Sequence, residues 1–202
     1  MKKWILSAVL LVMAHAAVFA NNAVAAQIKK NAPQKVTCQF VQEKFLKGMT
    51  KPVQSEGTLY YQNDCMSMWY TQPAGDFLVI NPNEFVMQSK GKQRKHNIKA
   101  GSPMLTLKNT LVMCMQGNIE GVATENDASL SYSNNGGHTF TLSKELKKGE
   151  RGYAKIVLVY DAKSNVLTSM TLTEANGNYT VYTLQNADTQ KAIDATVFKV
   201  AK

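Results

Sequence analysis

From about Asn134 to Leu184 apolar residues recur at nearly every second position, and this restricts the fold more than any other feature of the chain. Between His138 and Ser143, Phe140 and Leu142 alternate with Thr139, Thr141 and Ser143. Val166, Met170 and Leu172 then alternate with Ser169, Thr171 and Thr173, and Tyr179 to Leu184 continues the pattern. A period of two sends successive side chains to opposite faces of a strand. The runs are separated by Asn134-Asn135-Gly136-Gly137, Ala162-Lys163-Ser164-Asn165 and Ala175-Asn176-Gly177-Asn178. Such clusters favour tight turns, and the third is a strong hairpin signal. This part of the chain is expected to form an antiparallel meander.

The earlier strands read differently. Met66 to Tyr70, Phe77 to Ile80 and Phe85 to Met87, with Ile156 to Tyr160 later, carry large apolar residues on both faces. A sheet wetted on one side would show polar residues at alternate places. These strands are therefore expected either to be covered on both faces or to curl around something apolar. The cover is expected from a helix over about Pro103 to Gln116. Ser102 suits its N-cap, Pro103 its first turn and Gly117 its stop. Met104, Leu107, Leu111 and Met115 form one stripe, widened by Leu105 and Val112. A weaker helix is expected from about Ala23 to Asn31, ending before Pro33. With no repeat, low-complexity tract or linker, residues 21–202 read as one domain.

Residues 1–20 read as a signal peptide. Met1-Lys2-Lys3 is a basic start, Trp4 to Val12 is an apolar run broken by Ser7, and Val18-Phe19-Ala20 offers a cleavage site. Cleavage after Ala25 or Ala26 is the alternative. The apolar run is short for a membrane span, and no later stretch reaches the length of one, so the mature chain is expected to have no transmembrane segment. The 23 Lys and Arg against 14 Asp and Glu give +9, or +7 without Lys2 and Lys3. The surplus favours anionic partners in general. Export argues against nucleic acid among them. Three cysteines remain, Cys38, Cys65 and Cys114, with no zinc-type spacing. Free buried thiols are expected, a Cys38–Cys65 bridge being the alternative.

Of ten methionines, Met1 and Met13 fall in the leader, and six of the other eight lie between Met66 and Met115. Flexible thioethers either fill irregular gaps in a core or line a surface that adapts to varied apolar guests. The mature chain keeps only His96 and His138, and it lacks the nucleophile-elbow, zincin, P-loop and dinucleotide patterns. The carboxylates Glu125, Asp127, Asp188 and Asp194 sit in expected loops without evident partners. No enzyme, catalytic residue, metal or cofactor is expected; a glycan hydrolase is the weakest of the alternatives. Two basic groups stand out: Lys90, Lys92, Arg94, Lys95, His96 and Lys99, then Lys144, Lys147, Lys148 and Arg151. Each is either a solvated edge or a face toward anionic headgroups or an acidic partner.

An ordered series of motifs adds a resemblance. Phe40-Val41-Gln42, then Ser55-Glu56-Gly57-Thr58-Leu59-Tyr60-Tyr61, then Trp69-Tyr70-Thr71-Gln72-Pro73 with Asp76-Phe77-Leu78-Val79-Ile80, resembles the periplasmic outer-membrane lipoprotein carrier family, the LolA-like proteins, in a Bacteroidetes-type form. The helix after Ser102 sits where the family has a lid, and Asp194 to Phe198 is similar to its closing segment. The resemblance implies a mainly β fold with a few helices: an incomplete, half-open antiparallel β-barrel with a helical lid over an apolar cavity. It implies a non-enzymatic carrier in the periplasm that takes acyl chains of lipoproteins or lipids to the outer membrane. An inner-membrane release complex and an outer-membrane acceptor would be its partners, and a monomer its state. The other reading is an envelope lipid sensor or interaction module on the same half-barrel. The apolar strands facing the apolar helix nominate Met66, Met68, Trp69, Leu78, Ile80, Phe85, Met87, Met104, Leu107, Leu111 and Met115 as the acyl-binding lining, with strand parity admitting only alternate members. The arginine that ties barrel to lid in the family has no counterpart in Gln62-Asn63-Asp64-Cys65.

Overall fold

A computed structural model describes residues 22–82, 84–96 and 98–200. The expected leader, residues 1–20, lies outside them. A helix, α1, covers residues 22–31 and stops ahead of Pro33 as expected. Eleven strands follow: β1 (Lys35–Phe45), β2 (Val53–Gln62), β3 (Cys65–Gln72), β4 (Phe77–Asn81), β5 (Glu84–Ser89), β6 (Lys92–His96), β7 (Ser129–Asn134), β8 (His138–Ser143), β9 (Tyr153–Tyr160), β10 (Leu167–Glu174) and β11 (Tyr179–Asp188). Helices α2 (Pro103–Met115) and α3 (Ile119–Glu125) lie between β6 and β7, and a 3-10 turn, Ala195–Phe198, comes last.

All eleven strands form one antiparallel sheet in the order β6-β5-β4-β3-β2-β1-β11-β10-β9-β8-β7. The chain starts mid-sheet, walks out to the β6 edge, and re-enters at the β7 edge before returning to pair β11 with β1. The edges stay unpaired with each other, so the barrel is half-open. The connection from β6 to β7 has to cross from one edge to the other, and it is this connection that carries α2 and α3. Irregular pairing at Thr37/Gln39, Glu56/Gly57, Leu167/Ser169 and Thr173/Glu174 supplies the bends a curled sheet needs.

One apolar core fills the concave side. It joins Ala25 and Ile28 of α1, Leu111, Val112, Cys114 and Met115 of α2, and Ile119 and Val122 of α3 to inward residues of nearly every strand. Phe40, Phe140, Leu158 and Tyr160 are among its fully covered members. A second, smaller cluster lies on the convex side, where Phe77, Val79 and Val86 are buried with Trp69 and Val200 against them. So β3, β4 and β5 are covered on both faces, which explains why they lack alternation. The convex cover is the C-terminal segment. The Trp69 indole N–H donates to the Val197 carbonyl at 3.0 Å, and Asp194 caps the 3-10 turn by accepting from the Thr196 N–H at 2.9 Å.

The local signals in α2 are realised. Ser102 Oγ accepts from the Leu105 N–H at 3.2 Å, Pro103 opens the helix, and Gly117 takes the left-handed backbone (φ 63°) that ends it. Helix α3 was not expected, being only seven residues and containing Gly121; its N-cap, Asn118, accepts from the Gly121 N–H at 3.3 Å. Lys92, Arg94, Lys95 and His96 of the first basic group fall in the edge strand β6, exposed through Lys95, where charge discourages edge-to-edge pairing. Asp188 and Asp194 are turn caps: backbone N–H groups of Lys191 and Gln190, and of Thr196, hold their carboxyls below the usual range.

Candidate functional site

Inside the half-barrel, α2 lies against the sheet almost without a gap. A void of about 10 Å³ remains, lined by Met66 and Met68 of β3, Met170 of β10, Leu111 and Met115 of α2, and the Tyr182 ring, among others. That is about the least space a water molecule requires, and its walls are nearly all apolar, so it stays dry. Four thioethers meet there from two halves of the sheet and the helix. Strand parity brings Leu78, Ile80 and Phe85 to the same concave core, with Met87, Met104 and Leu107 packed on it and half-buried. Trp69 is the exception. It points to the convex side with Phe77, their ring centroids 5.1 Å apart, because successive side chains of a strand take opposite faces and Met66, Met68 and Tyr70 hold the concave places. Trp69 is therefore removed from the lining, and its role is to hold the C-terminal segment.

Sequence reasoning missed the lining from the far half of the sheet: Met170, Tyr182 and Leu184, with Leu167. The period-two pattern of β10 and β11 puts them on one face, but nothing local says that this face meets β3.

A second, larger space opens at the barrel mouth. A cleft of about 890 Å³ lies between the first turns of α2 (Pro103, Met104, Leu107), the β8–β9 loop (Leu146 to Gly152, then Tyr153) and the β10–β11 turn (Glu174 to Asn176). Helix α2 thus walls both spaces. Its N-terminal half faces the cleft and its C-terminal half faces the methionines, over a length of about 20 Å.

Two tyrosines inside the barrel are joined through one glutamine. The Tyr70 hydroxyl donates to Gln42 Oε1 at 2.8 Å, and Gln42 Nε2 donates to the Tyr182 hydroxyl at 3.1 Å. Burial raises both phenols well above their ordinary pKa, and pushes Tyr153 up to about 12 with help from Glu174. They are neutral hydrogen-bonding groups at any physiological pH. Among the described residues the Tyr182 hydroxyl donates to no acceptor.

Helix α2 is held by a small set of polar ties. Tyr160, fully buried, donates its hydroxyl to the Cys114 carbonyl at 2.8 Å. Gln116 Nε2 donates to Asp64 Oδ1 at 2.8 Å, so the β2–β3 turn that lacks an arginine still bonds to the end of the helix. Lys108 Nζ reaches the Pro82 carbonyl at 2.9 Å, and buried Asn126 Nδ2 donates to Thr110 Oγ1 at 2.9 Å, joining α3 to α2. The neutral ties contribute about 1 kcal/mol each, and the two that involve Asp64 and Lys108 about 1.5–3 kcal/mol.

The three cysteines are free thiols. Cys38 and Cys114 are buried, and loss of solvent drives both thiols up, Cys38 to about 12; Cys65, half-buried on the other face of its strand, is raised less by burial and by Asp64. A group whose pKa is raised stays protonated until the pH approaches it, so the two buried thiols are inert at pH 8. A thiol reagent at pH 8 is expected to label the native chain once, at Cys65, and three times in urea. Labelling of Cys114 in the native chain would show that α2 lifts from the sheet unaided. Among the described residues no group of three His, Cys, Asp or Glu is placed to hold a metal ion, and no helix is long and apolar enough to cross a membrane.

No curated protein matches the chain. Similar solved structures include a DUF1329 family protein from Desulfovibrio piger, 11% identical, TM-score 0.48, covering 91% of this chain and 97% of that one. A putative outer membrane lipoprotein-sorting protein domain from Vibrio parahaemolyticus is 11% identical, TM-score 0.44, over 86% and 94% of the two chains. The Mycobacterium tuberculosis lipoprotein LppX is 8% identical, TM-score 0.41, over 89% and 99%. The family model described as outer membrane lipoprotein carrier protein LolA matches residues 31–201, which takes in every strand and both helices between the sheet edges. By that match the chain belongs to the LolA family of outer membrane lipoprotein carrier proteins.

Proposed function

We propose that the chain is a non-enzymatic periplasmic carrier that takes acyl chains of lipoproteins or lipids into the methionine-lined interior and delivers them to the outer membrane. Residues 1–20 would be the export signal. Ala25 and Ile28 of α1 are buried in the core, which favours cleavage after Ala20 over a site that would cut the helix short.

The observation that carries the reading is the double role of α2. One helix closes a nearly solid interior of flexible thioethers, and the same helix forms the apolar wall of the open cleft. An acyl chain entering at Met104 and Leu107 would take over the contacts of Leu111 and Met115 as the helix moves outward. Burying a methylene is favourable by about 0.8 kcal/mol, so a dozen of them supply roughly 10 kcal/mol against the ties on α2 and the repacking. Methionine suits such repacking because its three rotatable bonds let it refill whatever shape the guest leaves. The Tyr182 hydroxyl is available to an ester or amide carbonyl at the head of the chain. Handing the guest to an acceptor with an equally dry site leaves the transfer near balance and requires no chemistry. Met66, Met68, Leu78, Ile80, Phe85, Met87, Met104, Leu107, Leu111 and Met115 make up the lining under this reading, with Met170 and Tyr182 added.

Native mass spectrometry of the mature chain, purified gently from its own periplasm, tests it. Bound mass that is lost on delipidation and identifies as acylated peptide or lipid is the expected result. A bare mass, with no uptake of added acyl ligand, would turn the interior into a plain core and the half-barrel into an interaction scaffold.

A further inference from the structure

The mouth cleft carries charge that an uncharged acyl guest does not call for. Lys147, Lys148 and Arg151 all line it, on the loop that faces the apolar side of α2. Two carboxylates share the space, and both are already engaged. Glu150 accepts from the Lys147 backbone N–H at 3.0 Å and pairs with Lys144 Nζ at 2.7 Å. Glu174 accepts from the side-chain amides of Asn176 at 3.3 Å and Asn178 at 3.1 Å. Among the described residues the Lys147, Lys148 and Arg151 side chains make no hydrogen bond or ion pair, although the Lys147 charge lies near enough to Glu150 to help hold its carboxyl below the usual range. The cleft therefore presents three available cations on one wall and Pro103, Met104 and Leu107 on the other, continuous along α2 with the dry interior. Its volume suits a ligand of ordinary small-molecule size or the upper part of a lipid.

We propose that the mouth binds the phosphate of an anionic glycerophospholipid, with Lys147, Lys148 and Arg151 around the headgroup and the acyl tails directed along α2. This rests on the carrier reading and names the class of guest. An arginine offers a planar fork for phosphate oxygens, and the two lysines add point charge. The other basic group, on and beside the edge strand β6, contributes nothing to the lining of this cleft, so it serves as the control for charge outside the mouth.

The test incubates the mature chain with vesicles of phosphatidylglycerol or of phosphatidylcholine bearing the same two acyl chains, separates the protein, and counts extracted lipid by mass spectrometry. The expected result is a preference of at least about tenfold for phosphatidylglycerol at low ionic strength, shrinking as salt rises. Lys147→Gln, Lys148→Gln and Arg151→Gln together bring phosphatidylglycerol down to the phosphatidylcholine level. Neutralising Lys90, Lys92, Arg94 and Lys95 instead leaves the preference in place. Equal uptake of both lipids by the unaltered chain overturns the proposal and leaves the carrier reading standing; so does a preference that survives the triple change or falls as much with the β6 change. Extraction of neither lipid, with acylated peptide also refused, overturns both. Inorganic phosphate and glycerol phosphate form the last arm: either one binding the mouth as tightly as the lipid would make it a soluble-anion site and overturn the proposal.

Discussion

Gly57→Ala is expected to destabilise the fold by at least about 3 kcal/mol, or to prevent folding outright, as read from urea denaturation. A Cβ at this position would sit 2.1 Å from the Trp69 carbonyl oxygen, 2.8 Å from the Tyr70 Cα and 2.9 Å from the Phe40 ring. The first two are backbone and have nowhere to go. Gly57 pairs with Phe40 on one side and Tyr70 on the other, at the point where the β2–β3 register shifts. The bare Cα is what lets the Phe40 ring cross β2 and meet Tyr70 edge to face, centroids 4.9 Å apart. Since Tyr70 then bonds Gln42, the same glycine also places the polar groups of the interior. A loss under 1 kcal/mol would mean that the sheet opens at the bulge to admit a methyl group, and that the close approach is not structural.

Leu107→Glu is expected to reduce acyl uptake at least about a hundredfold while leaving circular dichroism and the urea midpoint nearly unchanged. Leu107 is half-buried, at the cleft end of α2, so in the empty chain a carboxylate there can turn to water. With a guest in place it would be shut against hydrocarbon, and burying an unpaired charge costs several kcal/mol even after relaxation. Leu111→Glu, one turn further in and 3% exposed, has no such escape and is expected to unfold the chain. The pair separates a wall from a core. If Leu107→Glu also unfolds, the helix is ordinary core along its whole length; if it folds and binds normally, the guest does not pass this face.

What could be read from the sequence was local. The alternation after Asn134, the turn clusters and the Ser102-Pro103…Gly117 bracket depend on neighbours a few residues away, and β8 to β11 and α2 follow them closely. The apolar faces of β3 to β5 were legible as an anomaly, but their cause was not, because the cover comes from Val197, Phe198 and Val200, well over a hundred residues downstream. Trp69 was misassigned for that reason: nothing near it in sequence tells which face a remote segment will claim. Met170 and Tyr182 were passed over for the mirror-image reason, since only the β1–β11 pairing joins the two halves of the sheet around one space. The second basic group was legible as charge. Its position at a mouth required the loop, the hairpin turn and the helix to be brought together first.

The near-solid interior has a bearing on selectivity. A protein with a preformed slot compares each guest with a fixed ruler, and affinity drops sharply once a tail overruns the end. Here the void among the methionines is about 10 Å³, and four of its walls are flexible thioethers. Under the proposed function each added carbon would make its own room by pushing thioethers and helix aside, so affinity should rise and level off smoothly with tail length, without a cutoff. Under the proposed function such a molecule would sort its guests by what stands at the entrance and treat the tails behind it much alike.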